Sequence, residues 1–574
     1  MKKVLIVGGV AGGASTAARL RRRDENARIV LFERGAYISY ANCGLPYYIG
    51  GTIEERDHLF VQTPEAFSKR FRLDVRTCSE VTFIDRKNKQ VRVRHTRTGE
   101  AATESYDKLV LSPGAEPLRP PIPGIQSPGI FTLRTVPDTD RIKSFINETN
   151  PRRAIIVGAG FIGLETAENL HRQGIFVTIV EMAEQVMTPL DYEMAAAVHQ
   201  HLKIHQVEFY LKDAVEAFER NGGELIVKLS SGRSLKADMV LLSIGVRPES
   251  KLAEQAGLDI GRTGGIRVND YLQTSDPDIY ALGDAIETEN PVIGRKMTAY
   301  LAGPANKQGR VAADNIATGN TVRYRGSITT AIAKVFDLTV ASTGVSEKTL
   351  RKENIPYAAS ITHGSSHAGY YPGARPLTLK ILFSPRDGKL FGAQIVGYEG
   401  VDKRIDTIAN TLKQGGTVCD LADIEHAYAP PYSSAKNPVN IAGFVAENIL
   451  NGLVRIVHWY DMNDTDSDKD FIVDVRTAHE VRQGTIPGSV HIPIDDLRDR
   501  LDDVPRDKRV IVLCAAGLRG YLAARILMQH GYENVVNLSG GFITYEHAMQ
   551  KQSNEDIFDH SFIHRDGSVY SSKE

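Results

Sequence analysis

The chain opens on Val4-Leu5-Ile6-Val7, four apolar residues closed by the cluster Gly8-Gly9-Val10-Ala11-Gly12-Gly13. A short unbroken apolar run ending in glycine predicts a parallel strand buried on both faces. An alanine-rich helical stretch runs to about Arg23, and Arg28-Ile29-Val30-Leu31-Phe32 forms a second strand that ends at Glu33, twenty residues after Gly13. The same order returns further on: Ala154-Ile155-Ile156-Val157, the loop Gly158-Ala159-Gly160-Phe161-Ile162-Gly163, a helix, and a strand ending Val180-Glu181. More apolar runs enter tight turns at Pro113-Gly114, Gly245 and Gly283-Asp284. Residues 322–446 mix strands (331–336, 377–383, 391–396) with a helix near 402–413. The pattern breaks at 447–459 and restarts with Asp470-Phe471-Ile472-Val473-Asp474-Val475-Arg476.

Each strand–glycine loop–helix–strand unit carries a dinucleotide fingerprint. Glycine permits the tight turn and the close approach of a pyrophosphate, the helix N-terminus faces the phosphates, and the terminal acid accepts from ribose hydroxyls. The first copy has Val10 at the middle glycine; the second has all three glycines. Two copies imply two bound dinucleotides. Glu181 would repel a 2′-phosphate, which favours NADH and leaves NADPH open. For Asp284 a helix N-cap is the simpler structural role.

Beyond the first unit lies Ser39-Tyr40-Ala41-Asn42-Cys43-Gly44-Leu45-Pro46-Tyr47, with one thiol and no second cysteine before Cys78. A Cys-x-x-x-x-Cys redox pair cannot form here, so Cys43 must cycle between a thiolate and a mixed disulfide, persulfide or sulfenate. The flavin site is expected to lower its pKa from the usual thiol value of about 8.5. A second thiol, Cys514, ends the apolar run Val510-Ile511-Val512-Leu513 and begins Cys-x-x-x-x-Arg, closed by Arg519 before a helix. Backbone N–H groups ringing a thiol at a helix N-terminus stabilise a thiolate or an anion, and this short loop suits sulfane sulfur better than phosphate. Cys78 and Cys419 read as structural.

Composition narrows the rest. With 574 residues, 42% apolar, three to five domains are expected. Lys+Arg 69 against Asp+Glu 70 leaves no basic field for nucleic acid or membrane. Four scattered cysteines exclude a disulfide framework and a cysteine-based structural zinc site, no metal ligand set is expected, and a soluble cytoplasmic protein is the expectation.

The order of these motifs resembles the two-dinucleotide-binding flavoprotein family that includes glutathione reductase, and Asn42-Cys43-Gly44-Leu45-Pro46-Tyr47 with Ala427-Tyr428-Ala429-Pro430-Pro431-Tyr432 resembles its coenzyme A-disulfide reductase branch. The segment around Cys514 resembles a single rhodanese domain, with Gly520 where many active members have Ser or Thr. The resemblance implies an α/β chain: two Rossmann-like domains (FAD at 1–121 and 250–321, NAD(P)H at 122–249), an α+β dimerisation domain (322–446), a linker (447–459), a rhodanese domain (460–550) and a tail (551–574). It implies a homodimer that binds FAD, NADH and coenzyme A and reduces CoA persulfide, polysulfide or CoA disulfide. Cys43 would be the redox nucleophile, Tyr370 and Tyr428 would act near the sulfur, and Cys514 with Arg519 would handle sulfane sulfur. Coenzyme A contacts would fall on Ser15, Arg19, Arg22, Ser39, Asn42, Asn306 and Lys436. Cofactor contacts would fall on Gly8 to Gly13, namely Gly8, Gly9, Val10, Ala11, Gly12 and Gly13, on Glu33, Arg34, Asn42, Pro113, Gly114, Gly158, Gly160, Phe161, Ile162, Gly163, Glu181, Gly245, Gly283 and Asp284, and on Ala302. Arg19 and Arg22, three apart, face one side of the first helix, where exposed arginines are also often simply solvated. Two rivals stand beside this reading. A single-cysteine NADH oxidase or peroxidase would carry a histidine at Ala11, and none precedes His58. A redox-sensing scaffold would not turn over NADH.

Overall fold

The computed structural model describes residues 2–222 and 224–550, so the tail from 551 lies outside the described residues. Two compact units emerge, one built from residues up to 182 with 212–329, the other from 183–211 with the chain beyond 330.

In the first unit, Lys3–Val7 pairs in parallel with Arg28–Phe32 on one side and Lys108–Leu111 on the other, and Asp74–Arg76 and Ile279–Ala281 form the edges. Val4, Leu5, Ile6, Val30, Leu31 and Leu109 are each inaccessible to solvent, which is why these runs carry no polar alternation. A second parallel sheet centres on Arg153–Val157, between Phe176–Glu181 and Met239–Leu242, with Ile130–Thr132 beyond. Both central strands turn into a helix through the same glycine geometry. Gly8 has φ +97 and a Cβ there would lie 2.1 Å from Ser112 O; Gly158 has φ +98 and its Cβ would lie 2.3 Å from Ser243 O. One turn later, Cβ atoms on Gly13 and Gly163 would strike the carbonyls of Gly8 and Gly158 at 1.8 and 2.1 Å.

In the second unit, five antiparallel strands run in the order Ala331–Val335, Leu338–Gly344, Leu390–Gly397, Pro376–Phe383, Ala358–Ser365. Leu338–Gly344 and Ala358–Ser365 are absent from the sequence reading, because Ala, Ser, Thr and Gly replace the bulky apolar residues that mark a strand. A separate parallel sheet follows, ordered Ile456–Val457, Val535–Leu538, Arg509–Leu513, Asp470–Asp474, Val490–His491. Among the described residues, no helix is long and apolar enough to cross a membrane.

The antiparallel sheet carries a buried charge centre. The Lys380 ammonium, 1% exposed, lies 3.0 Å from Asp191 Oδ2, 2.5 Å from Glu193 Oε1 and 2.6 Å from Glu347 Oε2. The chain leading to the parallel sheet ties in here: the Trp459 indole N–H donates to Glu193 Oε2 at 3.3 Å, and the Tyr460 hydroxyl donates to Glu347 Oε1 at 3.2 Å. A second tie joins the two sheets where Ser539 Oγ accepts from Ile361 N–H at 3.1 Å and His363 Nε2 lies 3.0 Å from Gly540 O. Burial works to raise the Glu347 carboxyl, but Lys380 and the Tyr357 hydroxyl outweigh it and bring it down to about 2. Removing one partner of such a cluster leaves charge buried without compensation, at a cost of about 3–5 kcal/mol. Lys380→Met should therefore lower the denaturant midpoint of the second unit's unfolding by that order. A group whose folded pKa is depressed stabilises above its unfolded value, so Glu347's contribution should be intact near neutrality and vanish as pH falls from about 4 towards 2. A midpoint in Lys380→Met equal to the parent's would show that the carboxylates are relieved in another way.

Candidate functional site

The two glycine loops are built to receive phosphates. Each terminal acid holds its loop: Glu33 Oε2 accepts from Gly9 N–H at 2.9 Å, and Glu181 Oε2 accepts from Ala159 N–H at 2.7 Å, the equivalent position of the second copy. The middle position explains Val10. That residue caps the helix Ala11–Arg23 with φ −95, which any L-residue adopts, and a Cβ on Gly160 would meet nothing within 4 Å. The middle glycine is thus not demanded by the chain's own packing; the space beside it is open to a ligand. Asp284 sits in a short turn, Gly283–Ala285, that leads into the strand Ile286–Asn290, so it caps no α-helix. Its carboxyl accepts no hydrogen bond from any described residue, and burial pushes it up to about 6. A half-buried carboxylate without donors fits the polyol chain of a flavin nucleotide. Arg34 is committed elsewhere, donating to Glu116 Oε1 at 2.9 Å and Glu249 Oε2 at 3.2 Å. Pro113, Gly114 and Gly245 lie in loops beyond the central strands, with Pro113 O accepting from Arg134 at 3.1 Å and Gly114 and Gly245 at φ +83 and +106.

Cys43 occupies a one-turn helix, Asn42–Gly44, that passes into Leu45–Ile49 with Pro46 in its first turn. Ser39, at φ +45, holds the loop's other end, donating its N–H to Gly9 O at 2.9 Å. The thiol is free and exposed, as are the neighbouring Asn42 atoms. The chain's own groups act against ionisation: desolvation by the surrounding protein, then the carboxylates of Glu165 and Asp284, push the Cys43 thiol up, so a lowered pKa would have to come from the bound flavin. Glu165 escaped the sequence reading, although it stands two residues after Gly163 in the second fingerprint helix. It accepts from the Tyr47 hydroxyl at 3.2 Å, and burial raises its own pKa. A carboxyl, a phenol and a thiol thus share one environment, brought together from two separate sheets.

The residues assigned to coenzyme A divide. Ser15 donates to Asn306 Oδ1, joining the helices Ala11–Arg23 and Ala302–Thr318, the second beginning at Ala302. Arg19 and Arg22 differ in their surroundings. Arg19 donates to both oxygens of Asp314, at 2.9 and 3.1 Å, while Arg22 is exposed. Helix packing rather than spacing along one helix decides this difference. In the second unit Lys436 is exposed, and the Tyr370 and Tyr428 hydroxyls lie 2.7 Å apart, both rings exposed. That bond pushes the Tyr370 hydroxyl up. Arg404, buried and invisible as a site residue in the sequence, holds the Tyr370 loop by donating to Ser366 O at 2.8 Å and Gly400 O at 2.7 Å.

Cys514 is 2% exposed at the end of Arg509–Leu513, and its Sγ accepts from Gly517 N–H at 3.0 Å. Gly517, at φ +123, starts the helix Leu518–Gln529. Gly520 is fixed by packing: a Cβ there would lie 2.2 Å from Asn537 Oδ1. The Arg519 guanidinium forms a bidentate pair with Glu480 at 2.8 and 2.6 Å, and Glu480 is itself locked by a capping box with Thr477. Arg519 is thus held by Glu480 while still within electrostatic reach of Cys514.

Two nucleotide-binding βαβ loops, a lone exposed thiol between them in sequence, and a second thiol cradled at a helix start define a flavin- and nicotinamide-dependent thiol oxidoreductase with an added sulfur-handling domain. The comparisons agree. Residues 2–309 match the model for pyridine nucleotide-disulphide oxidoreductase, 330–438 its dimerisation domain, and 459–548 the rhodanese-like domain. Coenzyme A disulfide reductase of Staphylococcus aureus (strain bovine RF122 / ET3-1) is 36% identical over 447 residues, 78% of this chain and all of that one. The crystal structure of reduced Bacillus anthracis CoADR-RHD shares 53% identity at a TM-score of 0.93, covering 95% of this chain and 98% of that one. A NAD-dependent persulfide reductase from A. fulgidus shares 40% identity at a TM-score of 0.88, covering 95% and 100%. The chain belongs to the pyridine nucleotide-disulphide oxidoreductase family, whose members use FAD and NAD(P)H, and it carries a C-terminal rhodanese domain.

The raised thiol gives a direct test. Glu165→Gln removes one of the two carboxylates that oppose ionisation, so the pH midpoint of Cys43 alkylation by iodoacetamide should fall. An unchanged midpoint would show that Glu165 does not oppose ionisation of Cys43.

Proposed function

We propose that the chain is an NADH-dependent reductase of coenzyme A persulfide, polysulfide and coenzyme A disulfide, acting as a homodimer through the single redox cysteine Cys43. The observation that carries this reading is an exposed thiol with no second cysteine in its loop, on a chain that also holds a cradled Cys514. Such a thiol has no partner in its loop, so with a sulfur substrate its redox cycle runs through a sulfur–sulfur bond to that substrate. The Cys43 thiolate attacks a CoA disulfide, giving a mixed disulfide and one CoA thiolate. With CoA persulfide, attack at the terminal sulfur gives a Cys43 persulfide and CoA thiolate. FAD and NADH, when bound, supply the electron pair that returns Cys43 to the thiolate, releasing CoA thiol or hydrogen sulfide. The balances are NADH + H⁺ + CoA disulfide to NAD⁺ + two CoA thiols, and NADH + H⁺ + CoA persulfide to NAD⁺ + CoA thiol + hydrogen sulfide. In the dimer the partner subunit's Tyr428, paired with Tyr370, protonates the departing thiolate.

Other residues position the reactants. Glu33 and Asp284 hold FAD by its hydroxyls, and Glu181 places negative charge where a 2′-phosphate would lie, favouring NADH. Ser15 with Asn306, and the exposed Arg22 and Lys436, hold coenzyme A. Cys514 takes up sulfane sulfur and passes it to a thiol acceptor, supported by the N–H groups of its loop. The balanced net charge agrees with small-molecule substrates in the cytoplasm.

Anaerobic NADH consumption by the flavin-loaded protein tests the reading, with CoA persulfide, polysulfide and CoA disulfide offered separately. Cys43→Ser should abolish all three activities, Cys514→Ser should spare CoA disulfide reduction, and Tyr428→Phe should slow turnover by about 10²-fold or more. Oxidation of NADH by oxygen or peroxide with none by any sulfur substrate would overturn the assignment and favour the oxidase rival.

A further inference from the structure

A cluster of metal-ligating side chains lies in the second unit, outside every residue assigned above. His201 belongs to the helix Tyr192–Ile204, and His205 is the residue that ends it. Residues four apart lie on one helix face, so the two rings are neighbours, with centroids 4.7 Å apart. Asp337 reaches them from the hairpin turn between Ala331–Val335 and Leu338–Gly344. Its Oδ1 lies 2.9 Å from His201 Nε2 and 3.5 Å from His205 Nε2, and one donor atom from each residue falls within 4.8 Å of the others.

We propose that His201, His205 and Asp337 form a binding site for one divalent transition-metal cation of the zinc or cobalt type, clamping the end of the helix Tyr192–Ile204 to the hairpin turn.

Three observations carry it. A tetrahedral zinc with bonds of about 2.0–2.1 Å separates its ligand atoms by about 3.4 Å, and the gaps to Asp337 bracket that length. His201 is 4% exposed, and its Nε2 lies 2.9 Å from Asp337 Oδ1 without meeting it as a well-directed hydrogen bond. A buried imidazole nitrogen this close to a carboxylate oxygen and a second imidazole is placed to share a cation with them. Finally, the other ligands are already held. The His205 ring stacks on Phe336 at 4.0 Å with 4° between planes, and Asp337 Oδ2 meets Arg375 at 3.4 Å, leaving Oδ1 for the cation. Two imidazoles and one carboxylate select a borderline first-row cation over calcium or magnesium. Asp337 is 59% exposed, so the fourth position opens to solvent and a water ligand.

The test is a Co²⁺ titration of the full-length flavin-loaded protein at neutral pH, read by absorption and by thermal melting. One Co²⁺ per chain should bind with a d–d spectrum lacking the sulfur-to-metal band that Cys43 or Cys514 would give. His205→Gln and Asp337→Asn, both at solvent-reached positions, should each weaken binding by at least about tenfold and abolish the ion's effect on the melt. Both should keep the parent's NADH-dependent turnover. Equal binding by parent and both variants, binding with a sulfur band only, or no binding below about millimolar Co²⁺ would overturn the site. Because the readout is metal occupancy, its failure leaves the reductase reading untouched.

Discussion

The turn from a buried parallel strand directly into a helix is the constraint on which the chemistry of this chain depends. It leaves the first N–H groups of the helix without intrahelical partners and aims them at the end of the strand. At Gly8, at Gly158 and at Cys514 such a turn becomes a place where negative charge is favoured. At the first two, Gly8 against Gly13 and Gly158 against Gly163 bring backbones so close that a single Cβ would strike a carbonyl oxygen. At the third the anion-seeking N–H groups meet a thiol supplied by the chain itself, with Gly517 N–H already on Sγ. One local solution to a backbone problem thus serves two nucleotides and one sulfur atom.

Those turns were legible in the sequence because everything that makes them is local. Glycine spacing, an apolar run and a terminal acid all lie within about thirty residues, and so does the Cys514 loop with its flanking strands. What the sequence hid is what distant segments do to one another. Glu165 and Asp284 reach Cys43 from different parts of the chain and both push its pKa up, and Asp314 binds Arg19 from the helix Ala302–Thr318. Glu480 pairs with Arg519 from a separate helix, Ala478–Arg482, in the same way. Spacing along a helix can say that two side chains share a face, but not which partner from another element meets one of them first. The strands Leu338–Gly344 and Ala358–Ser365 were missed for a different reason, since their small residues carry the sheet without the usual apolar signature.

Cys43 and Cys514 solve the problem of a reactive thiol in opposite ways. Cys514 is enclosed and given a backbone donor, so its sulfur is stabilised by fixed dipoles. Cys43 is exposed and ringed by carboxylates, a setting that favours the protonated thiol until an opposing charge arrives.

The charge centre around Lys380 has a further consequence through Trp459, the one tryptophan in the chain. Its indole N–H donates to Glu193 and its ring lies 5.4 Å from Tyr192, so it sits where the antiparallel sheet meets the start of the rhodanese domain. All tryptophan emission from the protein comes from this one seam. The molecule therefore carries a native tryptophan reporter at the seam between the antiparallel sheet and the rhodanese domain, with no label to introduce.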